Sequence, residues 1–151
     1  MMRNIKLLIL TTALIFIGCT SSEKGSELGQ EFYRENTATQ SERLAKYSLS
    51  DQWEIYYYAK TAIHPPDFSL SKYLASNGEP MASFILNFLN SSKEDMYFLN
   101  SLDVLEDMKL YNYFDYCKDI KIIEKINANK NLMKDSGWRE IYGNKRLRMD
   151  C

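Results

Sequence analysis

The chain holds a single histidine, three prolines and six glycines, and its three cysteines lie far apart. Each scarcity removes a chemistry. One imidazole and three separated thiols leave little room for a zinc cluster, and no metal or cofactor is expected. A Ser-His-Asp or Cys-His pair would have to use His64. That residue stands directly before Pro65 and Pro66, where its expected job is to end a helix in an extended conformation. The glycines fall in no phosphate-cradling spacing. With 19 basic residues against 20 acidic ones there is no basic excess, and nucleic acid is not an expected partner. The apolar run from Leu7 to Ile17 falls short of the roughly 20 residues that span a bilayer. What remains is the composition of a folded chain, 45% hydrophobic and 26% charged, at a length suited to one domain with its own core.

The apolar run sits in a recognisable frame. Arg3 and Lys6 precede it, Gly18 and Cys19 close it, and polar Thr20-Ser21-Ser22-Glu23-Lys24 follows. A positive flank, a short apolar core and a small residue at the cut are the marks of a secretory signal peptide. Phe16-Ile17-Gly18-Cys19 resembles the lipobox of bacterial lipoproteins, a resemblance that covers residues 1–19. It implies removal of residues 1–18, a diacylglycerol thioether on Cys19, and commonly a further acyl chain such as palmitate on the new amino group. Each buried methylene is worth about 0.8 kcal/mol, so two or three chains hold a protein on a membrane. Thr20 in place of aspartate implies, by the family's sorting pattern, the outer membrane of a Gram-negative cell with the domain in the periplasm. Losing Arg3 and Lys6 leaves a mildly acidic body, so lipid rather than charge would anchor it.

Residues 19–41 read as the lipidated cysteine and a flexible tether, in which Leu28, Phe32 and Tyr33 are the bulky apolar residues and a short helix from Ser26 to Glu35 would bury little. About 20 flexible residues reach about 25 Å. Residues 42–151 are expected to form one mainly α-helical domain of packed helical hairpins. Ser50 before Asp51 predicts a helix start, with Trp53, Tyr56, Tyr57, Lys60 and Ile63 at helical spacing. A short helix over 69–76 ends at Asn77-Gly78, and Glu79-Pro80 opens the next, with Phe84, Ile85, Phe88 and Leu89 as its stripe. Ser92 with Asp95 suggests a capping box, followed by Met96, Leu99, Leu102, Leu105 and Met108 on one face. Helix is predicted again over 116–134, buried through Ile120, Ile123 and Ile126. The run Trp138–Tyr142, then Gly143-Asn144, then Lys145–Met149 has the spacing of a short β-hairpin. By pattern, residues 79–108 are similar to one HEAT-type helical hairpin, a unit that offers a face to protein partners.

Aromatic residues are the abundant feature. Trp53, Tyr56, Tyr57 and Tyr58 form one cluster, and Tyr111, Tyr113, Phe114 and Tyr116 another. Successive helical residues turn by 100°, so three adjacent tyrosines cannot share one core, and Tyr58 is expected to face solvent or a partner. Trp53, Tyr57, Tyr58, Tyr111 and Tyr113 are the candidate partner surface, the alternative being that the tyrosines fill a core with their hydroxyls reaching its edge. With Cys19 acylated, Cys117 and Cys151 are the remaining thiols. Pairing them closes a loop worth about 4 kcal/mol on the chain-entropy account, and the alternative is a buried Cys117 with a free Cys151. The basic tail Lys145-Arg146-Arg148 reads as a solvated hairpin face, the alternative being contact with an acidic partner.

The expected function is that of a lipid-anchored envelope protein whose helical domain binds a protein partner without catalysis, of immunity, inhibitor or adaptor type. Its partners would be the membrane, through Cys19, and one protein. A different class is an envelope hydrolase acting on peptidoglycan or lipid through Glu106-Asp107 or Asp115 with Asp119. A third is a structural lipoprotein tying membrane to cell wall.

Overall fold

A computed structural model describes residues 20–34, 39–90, 93–149 and 151, with side chains from Glu27 onward. The elements are α1 (Thr20–Arg34), α2 (Gln40–Leu44), α3 (Leu49–Thr61), α4 (Leu70–Ala75), α5 (Glu79–Phe88), α6 (Asp95–Leu110), α7 (Ile120–Asn129) and α8 (Ser136–Arg148). Short 3-10 turns flank α7 at Tyr116–Lys118 and Lys130–Leu132. No strand occurs among the described residues, and the protein is mainly α. The signal sequence, Cys19 and Ser92 lie outside the described residues.

Caps fix where helices begin. Ser48 Oγ accepts the Asp51 N–H at 3.2 Å, so α3 starts before the Ser50 that the sequence suggested. Thr39 and Glu42 form a reciprocal capping box on α2, Glu42 Oε2 accepting the Thr39 N–H at 3.1 Å. Gly78 precedes α5 with φ +61°, a conformation side-chain-bearing residues avoid, and Pro80 fills the first turn.

Helix α6 is the axis of the fold. Phe98, Leu102, Val104, Leu105 and Met108 are fully buried, with Asn100 and Ser101 beside them. Burying each large apolar side chain contributes about 1.5–3 kcal/mol. Helices α4 and α8 pack on α6, α1 packs on α3, and α5 bridges α3 to α7. Asp95, the first residue of α6, accepts the N–H groups of Lys134 and Asp135 at 2.9 and 2.7 Å, just where α8 starts. At the other end Lys109 Nζ donates to the Met149 carbonyl at 2.8 Å. Helices α6 and α8 therefore run parallel, with α7 as the return.

Three expectations are corrected. Residues 20–34 are a helix docked on α3, with Phe32 fully buried, and not part of a flexible tether. The interval 116–134 is a 3-10 turn, α7 and a second 3-10 turn, and not one helix. Asp119 caps α7, and its inward face is Ile122, Ile126 and Asn129, leaving Ile120 67% exposed. Residues 138–148 lie in helix α8, with Met149 as its C-cap, and not in a β-hairpin. Asp135 Oδ1 accepts the Trp138 N–H at 3.0 Å to start α8, and buried Tyr142 donates its hydroxyl to the Ile126 carbonyl at 2.8 Å. These contacts override the turn preference of Gly143-Asn144, which sits in mid-helix at about 1 kcal/mol relative to alanine.

Candidate functional site

The five candidate partner residues separate into three environments. Trp53 is fully buried, with Phe88 and Tyr97 rings 6.4 and 6.3 Å from its own, so it belongs to the core and not to a surface. Tyr58, half-buried like Tyr57, packs part of its side chain against α1. A β-carbon added at Gly29 would lie 2.2 Å from Tyr58 Cγ, so the absent side chain of Gly29 forms the notch that receives it. Tyr57, Tyr111 and Tyr113 keep exposed surface, at two different places.

Tyr111 and Tyr113 lie beyond the C-terminus of α6. Asn112 adopts φ +55°, a left-handed conformation that asparagine tolerates, and it turns the chain sharply. The turn is tightly bonded: the N–H groups of Tyr111, Asn112 and Tyr113 donate to the carbonyls of Asp107, Lys109 and Met108 at 3.0, 3.2 and 2.9 Å. Gly78 lets the chain pass close behind, since a β-carbon there would meet the Tyr113 carbonyl at 3.3 Å. The result is a fixed knuckle on which Leu110, Tyr111 and Tyr113 are 67%, 42% and 41% exposed. The tyrosine rings are 5.9 Å apart, and Lys72 Nζ sits 4.2 Å from the Tyr111 ring centre. Beyond the knuckle, Cys117 and Cys151 are joined by a disulfide with Cα atoms 5.2 Å apart, tying the end of α8 to the 3-10 turn before α7.

Tyr57 belongs to an aromatic row at the opposite end of α6. Its ring stacks on Tyr97 at 3.8 Å with 16° between planes, Tyr97 meets Phe88 at 5.7 Å, and Phe88 stacks on Phe84 at 5.5 Å. All four rings are partly exposed. Tyr57 donates its hydroxyl to Glu94 at 3.0 Å and Tyr97 donates to Glu54 at 3.5 Å. Burial, then the neighbouring carboxylates, raises both hydroxyls above the ordinary tyrosine range. Lys93 Nζ lies over this row, and burial lowers its pKa against an opposing pull from Glu54.

The carboxylates of the hydrolase reading each have a structural partner. Asp107 accepts from Ser71 Oγ at 2.6 Å. Glu106 is 3.4 Å from Lys145 Nζ. Asp115 pairs with Lys118 at 2.9 Å, a hydrogen bond that lowers its pKa, and Asp119 Oδ1 caps α7 through the Lys121 N–H at 2.9 Å. Sequence reasoning missed Asp103, which joins three helices. It accepts from Lys60 Nζ at 3.1 Å and from Tyr56, and it pairs with Lys145 of α8. The available signal was Asp103, Glu106 and Asp107 at i, i+3 and i+4, the polar stripe of an otherwise apolar helix. Lys145 thereby leaves the solvated face expected of the basic tail. Arg146 borders a cavity of about 300 Å³ between α7 and α8, donating to Asn127 Oδ1 at 3.2 Å. Among the described residues no group of three or more His, Cys, Asp or Glu could hold a metal ion, and no helix is long and apolar enough to cross a membrane.

No family model matches the chain, and neither a curated protein nor a solved structure matches it.

Proposed function

We propose that this chain is a lipid-anchored protein of the bacterial envelope, held to the membrane through Cys19, whose helical domain binds a protein partner without catalysing a reaction. Immunity or inhibitor proteins and envelope adaptors are the types this description fits. The membrane is the outer one, with the domain in the periplasm, where the cell is Gram-negative. The anchor rests on the lipobox-like Phe16-Ile17-Gly18-Cys19.

The observation that carries the binding role is the knuckle of Leu110, Tyr111 and Tyr113. Large apolar and aromatic side chains stand out from a turn whose backbone N–H groups are already bonded. Tyrosines dominate the energy of many protein interfaces, and a surface that needs no ordering keeps more of its gross binding energy.

The test puts a photo-reactive benzoylphenylalanine at Tyr113 in intact source cells, with Ser83 on the exposed side of α5 as the control position. One stoichiometric adduct is expected at position 113, absent at position 83 and lost with Leu110→Asp. Equal adducts at both positions, or none, would refute the reading. Labelled palmitate should enter the protein and be absent from Cys19→Ala.

A further inference from the structure

The aromatic row at the start of α6 already holds a cation. Lys93 Nζ lies 3.4 Å from the centre of the Phe88 ring and 5.3 Å from that of Tyr97. A lysine serving solubility alone would extend into water, where its ammonium is best hydrated. Here the ammonium is drawn over Phe88 and Tyr97, the middle two of a row of four partly exposed rings. The π faces carry negative charge, and Glu54 and Glu94 add two carboxylates at the rim. The same carboxylates hold the Tyr97 and Tyr57 hydroxyls, so they also fix the orientation of the rings. Stacked rings, flanking acids and a seated ammonium share one complementarity, which is for an organic cation.

We propose that this surface recognises a lysine or arginine side chain of a basic polypeptide, and that Lys93 is the internal placeholder which that side chain displaces. A cation bearing N–H groups fits better than a quaternary ammonium, because each carboxylate can accept more than one hydrogen bond. Displacement is easy, because Lys93 gives up an aromatic contact and regains its hydration. The site lies at the far end of α6 from Leu110, Tyr111 and Tyr113, and it does not depend on the function proposed for that knuckle.

The experiment uses the full mature chain and an end-blocked tripeptide with a central arginine, read by NMR shifts of the Phe88 and Tyr97 rings. Removing the placeholder with Lys93→Ala should tighten binding roughly tenfold, the scale expected when a tethered competitor is lost. The isosteric citrulline peptide should produce no saturable shift, and Tyr97→Leu added to Lys93→Ala should abolish the arginine response. In the unaltered protein, the arginine peptide should move the Lys93 side-chain resonances towards those of a hydrated lysine. Equal binding of the citrulline peptide, or no tightening in Lys93→Ala with its helical circular dichroism intact, would overturn the proposal. Tetramethylammonium binding as tightly as the arginine peptide would overturn the assignment to a peptide side chain.

Discussion

Replacing Gly29 by alanine has opposite expected signs for a docked α1 and for a free one. In a free helix or a tether, the change is neutral or favourable, because alanine is better than glycine in a helix by about 1 kcal/mol. In the docked helix, the new β-carbon would lie 2.2, 2.4 and 2.7 Å from Cγ, Cδ1 and Cβ of Tyr58. Ordinary carbon–carbon contact is about 3.5–4.0 Å. A rotamer change can swing Cγ and Cδ1 aside. It cannot move Cβ, which is fixed to the backbone of α3. The two helices must therefore separate by about 1 Å. Overpacking on this scale belongs at the upper end of the usual range, about 3 kcal/mol. Subtracting the helix-propensity gain leaves a net loss of about 2 kcal/mol. Full undocking would cost a similar amount, since Phe32 alone loses about 2–3 kcal/mol of burial.

Urea denaturation followed by circular dichroism, on protein carrying Cys19→Ala, measures this directly. A loss of about 2 kcal/mol lowers Tm by roughly 6–10 °C in a chain of this size. Tyr58→Ala removes two of the three close contacts, so the pair of changes should be less damaging than the sum of the two, with a coupling above about 1 kcal/mol. Gly29→Ala that stabilises the protein, or leaves it unchanged within about 0.5 kcal/mol, would show that α1 does not rest on Tyr58 and refute the reasoning.

Gly143→Ala tests α8 by the same logic with the opposite sign: it should stabilise by up to about 1 kcal/mol, because the β-carbon meets only the flexible end of Lys130 at 2.8 Å. A hairpin turn needing positive φ at Gly143 would be destabilised instead, and the denaturation midpoint separates the two. Asp103→Ala should cost about 3 kcal/mol, since it strands Lys60, whose side chain is 8% exposed, whereas Glu106→Ala should cost under about 1 kcal/mol. Equal losses would remove Asp103 from the junction. Asp67 accepts from Tyr33 at 2.7 Å and from Ser69; burial alone would raise its pKa, but these hydrogen bonds outweigh it and hold it below the ordinary carboxylate range. A depressed carboxyl contributes stability that is present above its unfolded pKa and is lost as pH falls through the folded one. Hydrogen-exchange protection factors in α1, corrected for the intrinsic pH dependence of exchange, should therefore fall below about pH 4, and Asp67→Asn should flatten that dependence.

The helices α3 to α6 were legible because local signals and burial agree there. Asn77-Gly78 and Glu79-Pro80 mark a boundary the backbone obeys, and Leu102, Leu105 and Met108 lie inside as their spacing predicted. The failures share a different physics. Helix α1 is polar by composition, and its docking rests on contacts distant in sequence, among them Gly29 against Tyr58, buried Phe32, and Tyr33 on Asp67. Helix α8 carries a turn dipeptide at its centre, but Trp138, Tyr142, Lys145 and Met149 at i, i+4, i+7 and i+11 already had a helical period. The burial of Trp53 and the half-burial of Tyr58 are not legible from α3 alone, because the groups that cover them lie on other helices. Helix α1 covers Tyr58, and the rings of Phe88 and Tyr97 pack against Trp53. Tyr97, Lys93 and Glu54 escaped notice because only the tertiary fold assembles them.

The docked α1 also changes what a lipid on Cys19 would do. A flexible segment of about 20 residues lets a domain wander about 25 Å from its anchor. Helix α1 begins at Thr20, next to Cys19, and is seated on α3 by Gly29. Ten helical residues at 1.5 Å each span only about 15 Å. Under the lipid-anchor reading, the domain is therefore held close to the headgroups and in a restricted orientation, with α3 as the nearest packed element. Tyr57 and Glu54 belong to α3, whereas Tyr111 and Tyr113 follow the C-terminus of α6. An anchor of this kind acts as a short arm rather than a leash. It sets which surface meets the lipid and which reaches a partner, so Gly29→Ala should disturb partner access as well as stability.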